Sequence, residues 1–85
     1  MSVEDTLVER NKTHGDYDAQ ADGAQRIKFV MRTFPNWESL TPPQKESLEL
    51  IATKISRIGH GDYNHVDSWK DISGYAELVC RTIID

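Results

Sequence analysis

Residues 41–79, TPPQKESLELIATKISRIGHGDYNHVDSWKDISGYAELV, decide the fold. The stretch reads as helix, short polar loop, helix. Thr41 opens the first helix: its hydroxyl can accept a backbone N–H three residues on, where Gln44 can reach back to complete a capping box. Pro42 falls at the first helical position, where its fixed φ and missing N–H cost nothing. Leu48, Ile51, Ala52, Ile55 and Ile58 then recur at helical spacing as one apolar stripe, until Gly59 and Gly61 stop the helix. The second helix is expected to begin at Val66 or Asp67. Trp69, Ile72, Ala76, Val79 and Ile83 keep three- and four-residue steps and share a face. A connection of roughly seven residues makes the two helices antiparallel neighbours, with the stripes facing each other.

Towards the N-terminus, Ser2 and Asp5 form a small capping signal, and Val3, Leu7 and Val8 predict a helix of two to three turns ending within residues 11–15. Asp18 is expected to cap a helix reaching about Phe34, where Pro35 ends it. Ala24, Ile27, Val30 or Met31, and Phe34 supply its apolar side, and Gly23 marks close approach of another helix. Trp37 and Leu40 are expected to lid the core. The segment His14-Gly15-Asp16-Tyr17 recurs as His60-Gly61-Asp62-Tyr63, each time between helices, as a duplication or a coincidence.

The expectation is therefore an all-α fold, a compact bundle of about four helices in one domain spanning residues 1–85. A chain of 85 residues buries only about 60–65% of its unfolded surface. Association of copies would add burial, and Leu50, Leu78 and Ile84 lie off the main stripes where a partner could cover them. The net charge of −4 argues against non-specific binding to a nucleic-acid backbone. Cys80, the one cysteine, excludes an internal disulfide and is expected to be a buried structural thiol. No apolar run reaches the roughly 20 residues of a membrane span, and the start lacks a signal-peptide core, so a cytoplasmic location is expected.

Several polar residues are spaced for chemistry. Glu46 and Glu49 stand three apart on the first hairpin helix, Asp67 and Asp71 four apart on the next. Four hard carboxylates from two adjacent helices are a candidate Mg²⁺ set, provided helix rotation lets them converge. Lys54 and Arg57 could neutralise a phosphate or pair with Asp67 and Asp71 across the seam. The loop residues His60, Asp62, Asn64, His65 and Asp67 fail the EF-hand pattern and lack the cysteines of a zinc set. Walker, nucleophile-elbow and dinucleotide motifs are absent.

Taken together, ERNKTHGDY, PNW, ESLELIATKISRI and DSWKDISGYAELV resemble a family of small proteins of tailed phages and prophages. More distantly the chain is similar to phage nucleotide-modification-associated domains and to MazG-like all-α nucleoside triphosphate pyrophosphohydrolases. Those enzymes hold Mg²⁺ through an E-x-x-E motif and a later E-x-x-D motif. Glu46-x-x-Glu49 matches the first, whereas Asp67-x-x-x-Asp71 departs from the second by one residue. The resemblance implies a nucleotide-type phosphate ligand, with Arg10, Lys12, His14 and Asp16 joining Lys54, Arg57, Asp67 and Asp71 around one pocket, and Mg²⁺ as possible cofactor. The competing expectation is a non-enzymatic inhibitor that captures a host defence protein through its acidic surface.

Overall fold

In a computed structural model that describes residues 2–83, four α-helices follow one another: α1 (Val3–His14), α2 (Tyr17–Arg32), α3 (Pro42–His60) and α4 (Val66–Cys80). A 3-10 turn, Trp37–Ser39, joins α2 to α3. The chain is an all-α bundle built on the α3–α4 hairpin, and the described residues contain no strand.

Local chemistry sets the helix ends. The Ser2 hydroxyl accepts the Asp5 N–H at 3.1 Å, and the Asp5 carboxylate accepts from the Ser2 N–H. Thr41 and Gln44 form the same reciprocal pair at the start of α3, with Pro42 at its first position. At α2 the expected cap moves. Asp16, rather than Asp18, takes the Ala19 N–H at 3.1 Å, so the helix starts at Tyr17. Trp37 is buried at the far end of the bundle.

α3 is the central element. α4 packs along one flank and α2 along the other, both antiparallel to it, and α1 lies across α2 and α3 near their His60 end. What α3 buries is therefore small: Ser47, Ala52 and Ser56. The α2 side of the seam is equally small, with Gly23 and Ala24 beside Gln20. A Cβ on Gly23 would stand 2.6 Å from Ser56 Oγ and 2.9 Å from the His60 ring, so the close approach expected there is present. Ser56 Oγ donates to the Gln20 carbonyl at 2.6 Å within this seam.

Two expectations about burial are corrected. The stripes of α3 and α4 do not face each other squarely. Ile51, Ile58, Ile72 and Val79 are half-buried, while Leu48, Ile55 and Trp69 remain exposed. The reason is geometric: a helix held on two flanks turns its smallest residues to both neighbours and leaves the middle of its apolar stripe between them. Cys80 is exposed rather than buried, because it lies on the Trp69–Ala76 side of α4, where no helix covers it. Of the residues expected to meet a partner subunit, Leu78 is exposed, Leu50 is half-buried, and Ile84 lies outside the described residues.

Candidate functional site

The two His-Gly-Asp-Tyr segments meet. Gly15, at φ +82° and ψ −175°, presses its α-carbon against the His60 backbone, and Gly61 does the same against the backbone of residues 13–15. A Cβ at either position would overlap main-chain atoms. The Asp62 N–H donates to the Thr13 carbonyl at 2.8 Å and locks the crossing. Glycine is required at both turns by this back-to-back approach, and additionally at Gly15 by a backbone conformation that is essentially glycine's alone.

The crossing places the end of α1 beside α3 and beside the loop that enters α4. That loop is itself held. Asp62 Oδ1 accepts the Asn64 N–H at 2.9 Å, and the Trp69 indole N–H donates to the Tyr63 carbonyl at 2.9 Å. His65 is thereby set edge-on to His14, their ring centroids 5.9 Å apart. His60 faces away into the α2–α3 seam, where its Nδ1 lies 2.8 Å from the Ser56 carbonyl and so carries the proton.

A cleft of about 290 Å³ opens here, walled by Arg10, Asn11, His14, Tyr17, Gln20 and Arg57. A second opening of about 300 Å³, bordered by Glu9, Arg10, Thr13 and His65, shares the His14 ring. Cations dominate the rim. Burial, then the positive charges of Arg57 and Lys54, then His65 and Arg10, push the His14 pKa below its ordinary 6.5. The imidazole is thus held neutral by surroundings that already carry positive charge. Its Nδ1 is buried without a hydrogen-bond partner among the described residues, an uncommon condition for a polar atom.

Lys54 has its counter-charge. Its ammonium sits 2.8 Å from the Asp71 carboxylate across the α3–α4 seam, and that hydrogen bond is the chief cause of the lowered Asp71 pKa. Neither Arg10 nor Arg57 is ion-paired with any carboxylate among the described residues. These two guanidiniums, facing one cleft from α1 and α3, are the available anion-binding groups.

The structure divides the residues expected around one pocket. Arg10, His14 and Arg57 share the cleft, and Lys54, paired with Asp71, lies near enough for its charge to bias His14. Lys12 and Asp16 border a neighbouring depression instead, with the Asp16 carboxylate engaged as the α2 cap. Asp67 is exposed on the first turn of α4. The Mg²⁺ set does not gather. Glu49 is ion-paired with Arg32 on the α2 flank of α3, whereas Asp71 engages Lys54 on the α4 flank, and Glu46 is exposed. Among the described residues no three His, Cys, Asp or Glu side chains surround a common point. Spacing along one helix puts carboxylates on one face, but α3 presents its two flanks to different neighbours.

Asn11, Tyr17 and Gln20 belong to the surroundings of the cleft without having been marked as site residues by spacing, and His65, noted only for metal patterns its loop fails, joins them. The signal that could have indicated them is the repeated His-Gly-Asp-Tyr turn, whose two copies bring these residues together. No family model matches the chain, and neither a curated protein nor a solved structure shows significant similarity to it.

Proposed function

We propose that the protein binds a phosphate-bearing small ligand of nucleotide type in the cleft of Arg10, His14 and Arg57. The observation that carries this reading is the pair of guanidiniums, without an ion-paired carboxylate among the described residues, that line one cleft of a protein whose net charge is −4. A guanidinium fork matches phosphate oxygens bidentately, and two forks from different helices fix an anion more firmly than one. The neutral His14 edge adds a group that gains a proton when an anion offsets the surrounding positive charge. Tyr17, on the cleft wall and largely exposed, offers a ring face on which a base can stack.

The resemblance to phage nucleotide-associated and MazG-like proteins agrees with this ligand class. Mg²⁺ enters only as the companion of a polyphosphate, since Glu49 pairs with Arg32 and Asp71 with Lys54 while Glu46 and Asp67 are exposed, and no hydrolytic step is assigned to them. Capture of a host protein through the acidic surface is the reading that a negative ligand screen favours.

The test is a thermal-shift screen of nucleoside mono-, di- and triphosphates and cyclic nucleotides, each with and without Mg²⁺. A ligand that binds the folded state alone stabilises it by about 2.7 kcal/mol at a hundredfold excess over its Kd. Arg10→Ala and Arg57→Ala are each expected to remove the shift while leaving the far-UV helix signal intact, and Glu46→Gln to retain it. A shift that survives both arginine substitutions, or no shift with any nucleotide, overturns the proposal.

A further inference from the structure

Two ion pairs between helices and a set of exposed apolar side chains lie on opposite sides of α3. The Arg32–Glu49 and Lys54–Asp71 ion pairs fasten α2 and α4 to α3 along the same side. Helical spacing places Leu48 and Ile55, two turns apart, on the other side of α3. On α2, Val30 lies on the flank away from Arg32, with Phe34 in the turn that follows the helix, and on α4, Trp69 and Ala76 lie on the flank away from Asp71. The exposures are 51% for Val30, 55% for Phe34, 41% for Leu48, 48% for Ile55 and 54% for Trp69, so these large apolar side chains from three helices and the turn after α2 remain in water. Gly59, in the same row of α3 one turn beyond Ile55, has nothing within 4 Å of where a Cβ would stand. A groove of about 300 Å³ walled by Leu40, Leu48, Ile51, Ala76 and Val79 opens between α3 and α4 on this side.

The surface area leaves room for such a cover. The chain exposes 6315 Å², whereas a monomer of 9.7 kDa typically exposes about 5,100 Å², an excess of about 1,200 Å². An interface of standard size takes about 800 Å² from each partner, less than this whole-chain excess, to which the exposed side chains of this face contribute. Val30, Leu48, Ile55, Trp69 and Ala76 carry no charge, so two acidic copies can bring them together without opposing carboxylates at the centre. We infer that the protein is a homodimer in which a second copy closes the face formed by these five residues. The two copies then share an apolar core wider than either holds alone, with their ion-paired sides outward. This rests on the apolar face and on surface area, and is independent of the arginine cleft.

Sedimentation equilibrium over a wide range of protein concentration tests it. The unmodified chain is expected at twice 9.7 kDa. Leu48→Glu and Ile55→Glu, which place a charge at the interface centre, are each expected to raise the dimer Kd by roughly tenfold or more. Leu78→Glu, on the flank of α4 that borders Asp71, is expected to leave the dimer intact. A second readout covers the case in which an introduced charge unfolds the chain. Trp37 is buried in each copy, so acrylamide quenching of the unmodified protein reports chiefly on Trp69. Quenching is expected to fall as concentration rises through association. A monomer at every concentration, a dimer unaffected by both central charges, or Trp69 quenching that ignores association overturns the inference.

Discussion

At Gly15 a single missing Cβ holds together two parts of the chain far apart in sequence. Gly15→Ala must adopt φ +82° with a side chain and also displace the His60 backbone. A cost of about 1–3 kcal/mol for the backbone conformation alone is expected, read as a melting temperature lower by roughly 4–8 °C per kcal/mol. Gly74→Ala supplies the contrast. It lies inside α4 with nothing within 4 Å of a new Cβ, so a gain of about 0.5–1 kcal/mol is expected in the same thermal melt. His14 makes a prediction in pH. Its folded pKa lies below 6.5, so the unfolded chain binds the proton more readily; its contribution to stability is complete above pH 6.5 and is lost as pH falls towards the folded value. A bound phosphate diester reverses the local field and raises that pKa, so binding takes up a proton. Affinity for a cyclic nucleotide should therefore rise as pH falls below neutrality, and His14→Gln should flatten the profile in calorimetric titrations. A profile unchanged in His14→Gln would remove the histidine from the cleft chemistry.

Among the elements, α3 organises the rest because it carries a strong cap at its start and two usable flanks. Thr41→Ala removes one half of the capping box and is expected to cost about 1 kcal/mol, measured by urea unfolding with an unchanged m-value. Gly23→Val addresses the opposite flank. Its branched side chain meets Ser56 Oγ and the His60 ring, so α2 has to lift from α3, and loss of the cooperative melt is the expected outcome. The capping boxes, the Pro42 start, the break before Pro35 and the closeness implied by Gly23 could all be read from local residues, because each is settled within a few positions of chain. The α2 cap was two residues off because Asp16 and Asp18 are equally good caps; the crossing of the two glycine turns selects Asp16.

For the molecule as a whole, the separation of charge from apolar surface sets the expected solution behaviour. If a second copy covers the face of Leu48, Ile55 and Trp69, the melting temperature rises with protein concentration, because the folded state is the one that associates. Differential scanning calorimetry at several concentrations reads this directly. The Ile55→Glu chain should melt at a temperature independent of concentration. The acidic balance of −4 keeps copies apart except where no charge opposes them, so added salt should strengthen association modestly while weakening phosphate binding in the cleft.

Sequence alone determined the elements: four helices, their order, most of their ends, and the antiparallel hairpin of α3 and α4. Those follow from periodicity and capping, which act over one or two helical turns. It also indicated Lys54 with Asp71 as a cross-seam pair. Tertiary structure decided which faces the helices share. Because α3 is flanked by both α2 and α4, Glu49 turns to Arg32 and Asp71 to Lys54, and the four carboxylates part. Because two glycine turns cross, Arg10 and His14 come to Arg57 over a sequence distance that no local pattern spans. Rotation of a helix about its own axis costs nothing in periodicity and is set only by what packs against it, so the convergence of side chains had to wait for the fold.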